Sequence, residues 1–364
     1  MSKSAVKNVI RQHAEQAYAH EIKALIKQDK LTRPANWQMS PQAVVQYVMG
    51  GKLKDGTIIE PKYFGNQRLI EIAVATLVTD RALLLVGIPG TAKTWVAEHL
   101  AAAICGDSTL LVQGTAGMTD ESIRYGWNYA KLLAEGPTES ALVGSPMFHA
   151  MKGGKIARIE ELTRIPSEVQ DNLITLLSEK TMPVGELNSE IQALQGFNLI
   201  ATANDRDRGV NELSSALRRR FNTVVMPLPK NLEEEVKIVS ARVNSTIGSA
   251  DQLTSKNGLK EIQRLVTIFR ELRNGATEDG LAKLTTPTST LSTAEAISVV
   301  NNGLALATHF GNGKLTVEDL AGGITGAIVK DPVQDKAVWR EYLETVAKER
   351  KDWKDLYKAC KEIL

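Results

Sequence analysis

The chain has 364 residues, 43% of them apolar, with 44 Lys and Arg against 42 Asp and Glu. That length suits roughly two or three domains with buried cores, and the near balance of charge removes the global electrostatic case for nucleic acid or an anionic surface as partner. Only two cysteines occur, Cys105 and Cys360, far apart and without metal-ligand spacing, and no run approaches the ~20 apolar residues of a membrane span; with no apolar leader core at Met1–Gln16, a reduced, cytoplasmic protein is expected.

Residues 1–60 read as a mostly helical N-terminal segment. A helix is expected over 1–30, with Val6, Ile10, Ala14 and Ala17 along one side. Pro34 and Pro41 break that pattern, and Gly50-Gly51 and Asp55-Gly56 mark a loop or hairpin. A helix from about Gln67 to Thr79 follows. From there short apolar runs alternate with helices over 61–230. The runs are Ala82–Val86, Leu110–Val112, Lys155–Ile159, Phe197–Ala201 and Asn222–Met226. The helices are 93–104, 146–152, 167–179 and 212–219. Such alternation predicts a parallel, doubly wound α/β sheet. Beyond Pro229 the strand runs stop, and helices near 231–245, 257–273, 293–309, 316–329 and 335–362 predict an all-helical part over 231–364. Ser292 and Glu295 have the spacing of a capping box.

The most informative stretch is Leu83 to Thr94, an apolar strand, then Gly87-Ile88-Pro89-Gly90-Thr91-Ala92, then Lys93-Thr94-Trp95 opening a helix. Gly87 and Gly90 let the backbone curl so that several N–H groups point inward at the positive end of a helix. That is a cradle for a nucleoside triphosphate, ATP or ADP. Lys93 would meet the β- and γ-phosphates and Thr94 would ligate Mg²⁺. Ala92 stands where a third glycine is usual.

Lys155 to Glu161 has the form of a strand ending in two carboxylates. Alone, such a pair reads as a strand running into solvent. After a phosphate loop, Glu160 becomes the metal-side acid and Glu161 the base that polarises water, on the expectation that strand neighbours face opposite ways. Glu160 stands where Asp is usual. Arg158 interrupts the strand on the same face as Glu160, and a pairing of the two would weaken magnesium binding. Asn204 ends another apolar strand, where it either orients the attacking water or turns the chain. Arg218, Arg219 and Arg220 either complement a helix C-terminus or present a guanidinium to a neighbouring subunit's phosphate, worth about 10³-fold or more in rate.

In order and spacing, Gly87–Thr94, Gly144–Gly154, Glu160–Arg164 with Val169-Gln170 and Leu176–Glu179, Asn204, and Leu217–Phe221 together resemble the MoxR branch of AAA+ ATPases, and within it the YehL-like proteins. The resemblance covers about 61–230 well and the C-terminal part loosely. It implies a P-loop NTPase αβα sandwich with a C-terminal helical lid. It also implies a homo-oligomer, usually a hexameric ring, and a chaperone-like remodeler of protein clients working beside a von Willebrand factor A domain protein. Thr181–Gly185 and Glu190–Leu194 would form an extra β-hairpin, and Arg220, or else Arg219, the arginine finger. Many relatives place an Arg at the start of a lid helix; Ser292-Thr293-Ala294 has none here. With Glu160, this leaves open a nucleotide-gated scaffold of little turnover. A DNA-associated AAA+ motor is the weaker alternative, since the charge balance and few aromatics supply no basic track or stacking platform.

Overall fold

The computed structural model describes residues 9–204, 211–247 and 256–364. It contains two compact units that part between Met226 and Pro227, with Pro89–Thr91 grouped with the second. The expected helix over residues 1–8, and the Asp205–Arg208 turn after Asn204, lie outside the described residues.

Five parallel strands form the sheet of the first unit: β1 (Ala82–Gly87), β2 (Leu111–Gln113), β3 (Ile156–Glu160), β4 (Asn198–Asn204) and β5 (Phe221–Val225), in the order β5-β1-β4-β3-β2. Alternate residues feed two cores. Leu83, Leu85, Ile156 and Ile200 belong to one, and Ala82, Leu84, Ala157, Ile159, Leu199 and Ala201 to the other. Burial of β1, β3 and β4 on both faces explains why these central strands read as largely apolar runs. The layers make the αβα sandwich that the sequence predicts.

The N-terminal residues are not a separate appendage. Ile22, Leu25, Trp37, Val44 and Tyr47 share the first core with Leu83, Leu85, Val96 and Leu100. Helices there run Ala14–Ala17, Ala19–Gln28 and Pro41–Met49, rather than as one helix to residue 30. Pro41, expected to break structure, begins a helix instead. Ser40 caps that helix by accepting from the Ala43 amide at 3.2 Å, and proline at the first helical position gives up no bond. Buried Lys62 pairs with buried Glu21 at 2.5 Å and lies over the rings of Tyr18 and Tyr47.

Besides the short hairpin Gly51–Lys52 with Ile58–Ile59, in the stretch where a loop or hairpin was expected, two antiparallel pairs interrupt the sandwich. The hairpin Thr181–Val184 with Ser189–Gln192 turns through Asn188 in the left-handed region (φ 48°), where the sequence resemblance places it. The other, Tyr125–Trp127 with Leu142–Gly144, brackets a helix, Tyr129–Glu135, and was not anticipated.

The second unit is helical: Leu232–Ile247, Lys256–Asn274, Thr293–His309, Val317–Ile328, Gln334–Tyr342 and Lys354–Ile363. They close around Phe269, Val300, Ile324, Trp339 and Leu356. The capping box holds: the Ser292 hydroxyl accepts from the Glu295 amide at 3.2 Å, and the Ser292 amide donates to the Glu295 carboxylate at 2.9 Å. The single helix expected over 335–362 is broken by a π segment, Leu343–Ala347, and a 3₁₀ turn, Lys351–Trp353. At the break Arg350 turns inward to the buried Glu271 (2.6 Å), which also accepts from the Tyr342 hydroxyl (2.5 Å).

Candidate functional site

The phosphate loop leaves β1 at Gly87 and enters the helix Lys93–Cys105 through two left-handed residues, Gly90 (φ 83°) and Ala92 (φ 64°). Alanine adopts that region at a cost of roughly 1–2 kcal/mol, so the loop keeps the glycine conformation without the glycine. Ala92 also has no polar side chain with which to cap the helix. The Lys93 ammonium is buried and donates to the carbonyls of Gly87 (2.8 Å) and Ile88 (2.9 Å). Val96, Leu100 and Ile104 are fully buried and hold the helix on the sheet. Pro89 is half-buried and Thr91 buried. Trp95, expected among the nucleotide-contacting residues, sets its ring 4.3 Å from that of His99, whose Nδ1 lies 2.8 Å from the Tyr47 hydroxyl.

Strand β3 delivers Glu160 to the loop. Its Oε2 accepts from the Thr94 hydroxyl at 2.7 Å and from the Thr202 hydroxyl of β4 at 2.6 Å, and its Oε1 accepts from Arg158 at 2.8 Å. Glu160 and Arg158 are both buried, so the pairing anticipated from their shared face is present. Thr202 was missed. Its signal was its place two residues before Asn204, which puts both on one face of the strand.

Glu161 does not occupy the opposite face of β3, as the strand argument expected. The strand ends at Glu160, and Glu161 lies beyond it in the left-handed region (φ 55°). Its amide donates to Thr202 Oγ1 at 3.1 Å, and its carboxylate pairs with Arg164 Nε at 2.6 Å. Gly114, after β2, lets this turn sit close. A Cβ there would stand 2.4 Å from the Glu161 carbonyl oxygen and 2.8 Å from that of Glu160. The Gly114 amide donates to the Glu160 carbonyl at 2.7 Å. Gly114 also went unread, although a glycine directly after a strand was visible in the sequence. Asn204 lies at the end of β4 in register with Gly87. Lys93, Thr94, Glu160, Glu161 and Asn204 are thus gathered at the carboxyl ends of three adjacent strands, where α/β folds bind ligands.

Arg219 and Arg220 are not part of that cluster. They precede β5, and the Arg220 carbonyl accepts from the amide of Ala82, the first residue of β1. Gly87 is at the other end of β1, roughly 17 Å away at strand rise. Arg220 is tied to Ser178 Oγ (2.5 Å) and the Ala216 carbonyl (2.6 Å), while the Arg219 side chain is exposed.

The residues fit a magnesium nucleotide. Two left-handed residues and a helix start capped by no side chain suit a polyphosphate, and a hydroxyl beside a carboxylate suits a hard cation. Among the described residues no group of three His, Cys, Asp or Glu could hold a metal.

Comparison with known proteins gives the family. Residues 82–221 match the AAA domain (dynein-related subfamily), and residues 233–363 match the YehL-like AAA+ ATPase C-terminal domain. The YehL protein of Escherichia coli (strain K12) is 39% identical over 348 residues, 94% of each chain. A Staphylococcus aureus (strain USA300) protein is 30% identical over 143 residues, covering 39% of this chain and 54% of its own length. Among solved structures, NtrX from Brucella abortus in complex with ATP has a TM-score of 0.48 at 13% identity, over 82% of this chain and 60% of its own. With both halves matched and a relative aligned nearly end to end, the chain belongs to the YehL-like AAA+ ATPases.

Proposed function

We propose that the protein binds and hydrolyses ATP with Mg²⁺ and turns the cycle into movement of a subunit ring. The observation that carries the reading is the 2.7 Å contact between Thr94 and Glu160, which joins the phosphate loop to the acidic strand end. Loop amides and Lys93 would grip the polyphosphate. Thr94 would hold Mg²⁺ directly and Glu160 through water; the ion neutralises charge on the β- and γ-oxygens when bound. Glu161 would leave Arg164 to take a proton from the attacking water, which Asn204 orients. Lys93 would stabilise the charge developing in transfer. Arg220, or the more exposed Arg219, would supply a guanidinium to a neighbouring copy, a role favoured by its distance from its own site.

The order of motifs seen in MoxR-type motors supports a hexameric ring that remodels protein clients, with a von Willebrand factor A domain protein as partner. A second reading, a nucleotide-gated scaffold with little turnover, is favoured by the two ion pairs Arg158–Glu160 and Arg164–Glu161, which occupy both acids.

Lys93→Ala should abolish nucleotide binding, and Glu161→Gln should retain ATP without turnover. Arg220→Ala should bind nucleotide without hydrolysing it. Mixing it with Glu161→Gln subunits should restore turnover, since those still present Arg220 to intact neighbours. An unchanged nucleotide dissociation constant in Lys93→Ala sinks the reading. Negligible wild-type turnover at catalytic concentration, with tight binding intact, selects the scaffold.

A further inference from the structure

Arg158 is a charged residue within a strand whose neighbours Ala157 and Ile159 are fully buried. Its side chain is only 4% exposed. Nη1 donates to the Ser108 carbonyl at 2.9 Å. Nη2 donates to Glu160 Oε1 at 2.8 Å and reaches the Thr94 carbonyl at 3.5 Å. Nε is buried without a hydrogen-bond partner among the described residues. Burying a guanidinium costs several kcal/mol before pairing offsets it, so the group has a marked effect on whatever binds beside it.

That effect is electrostatic. Without Arg158, the inner charges of the site would be the Lys93 ammonium and the Glu160 carboxylate, which cancel. With it, the same cluster carries one net positive charge, next to the Thr94 backbone where the phosphate loop turns into its helix. A polyphosphate brings three or four negative charges to such a site, and a divalent cation normally offsets part of them. Here the acid that would attract the cation is already neutralised from behind, and both its oxygens accept from protein donors.

Resting on the nucleotide-binding reading above, we propose that Arg158 takes over part of the cation's neutralising role, so that nucleotide affinity depends only weakly on divalent metal. Arg158 is then a positioning and charge-setting residue. Mg²⁺ remains needed for turnover, while binding and release of nucleotide are decoupled from it.

The test is the affinity of full-length protein for a fluorescent ADP analogue, measured in excess EDTA and in excess Mg²⁺. Wild type should weaken by less than about threefold on chelation. Arg158→Gln, which keeps a donor but loses the charge, should weaken by more than about tenfold, the size of one charge-assisted contact. Arg158→Lys should return most of the metal independence. Wild type that loses more than about tenfold on chelation overturns the proposal, as does an Arg158→Gln ratio equal to that of wild type. Should Arg158→Gln fail to fold by circular dichroism, the wild-type ratio and the Lys variant still decide. Strong metal dependence with good binding removes only the role of Arg158. No binding under either condition removes the nucleotide reading, and this inference with it.

Discussion

Arg164→Ala tests how Glu161 is held back. The two side chains meet at 2.6 Å, with Arg164 51% and Glu161 33% exposed. Pairs this open to solvent are worth about 0.2–1 kcal/mol. On the proposed mechanism that amount is spent each time Glu161 swings to the water, because the contact with Arg164 must first be broken. Removing Arg164 should therefore raise turnover about 1.4- to 5-fold. Phosphate release under saturating ATP is the assay, run across a series of salt concentrations. Salt screens an exposed pair, so wild-type turnover should climb toward that of the variant, which itself should respond little. A fall in turnover of tenfold or more would refute the reasoning and place Arg164 among the groups that stabilise the transferring phosphoryl. Equal rates at every salt concentration would show that the pair does not restrain Glu161.

Gly114→Ala should force the Glu160–Glu161 turn away, because its Cβ meets backbone oxygens at 2.4 and 2.8 Å; thermal melting should show a loss of about 1–3 kcal/mol, together with reduced turnover. Ala92→Gly relieves a left-handed alanine (φ 64°) and should raise stability by roughly 1 kcal/mol with nucleotide binding retained, checked by melting and by nucleotide titration. Burial alone would raise the pKa of Glu235, but the hydrogen bond and charge of Arg273, the Thr293 hydroxyl and the charge of Arg270 together hold it below the ordinary 4.5. A carboxyl depressed on folding adds stability above its unfolded value and loses it as pH falls through the folded one. Melting temperature should thus fall below pH 4.5, and Glu235→Gln should flatten that dependence. The variant should cost about 3–5 kcal/mol at neutral pH, since buried Arg273 loses its charged partner and Arg270 keeps only Glu278.

The elements most legible in the sequence are those whose physics is local. Strands β1, β3 and β4 stand out because burial on both faces demands largely apolar runs, and the helix at Thr293 because Ser292 and Glu295 satisfy each other across three residues. The phosphate loop is legible for the same reason: strand, glycines, Lys93 and Thr94 are contiguous. What escaped depends on partners distant in sequence or on backbone turns. Pro41 reads as a breaker unless one sees Ser40 capping the helix it begins. The period-two rule that assigned Glu161 a strand face fails because Gly114, 47 positions earlier, allows the chain to turn left-handed there. The pair Tyr125–Trp127 and Leu142–Gly144 is three residues per strand, too short for alternation to show.

The placement of Arg219 and Arg220 carries a consequence for the isolated polypeptide. An arginine side chain extends about 7 Å, whereas β1 separates these residues from the phosphate loop by roughly 17 Å. On the proposed mechanism, whatever they contribute to chemistry acts at another copy rather than at their own site. Specific activity should then climb with protein concentration and fall on dilution.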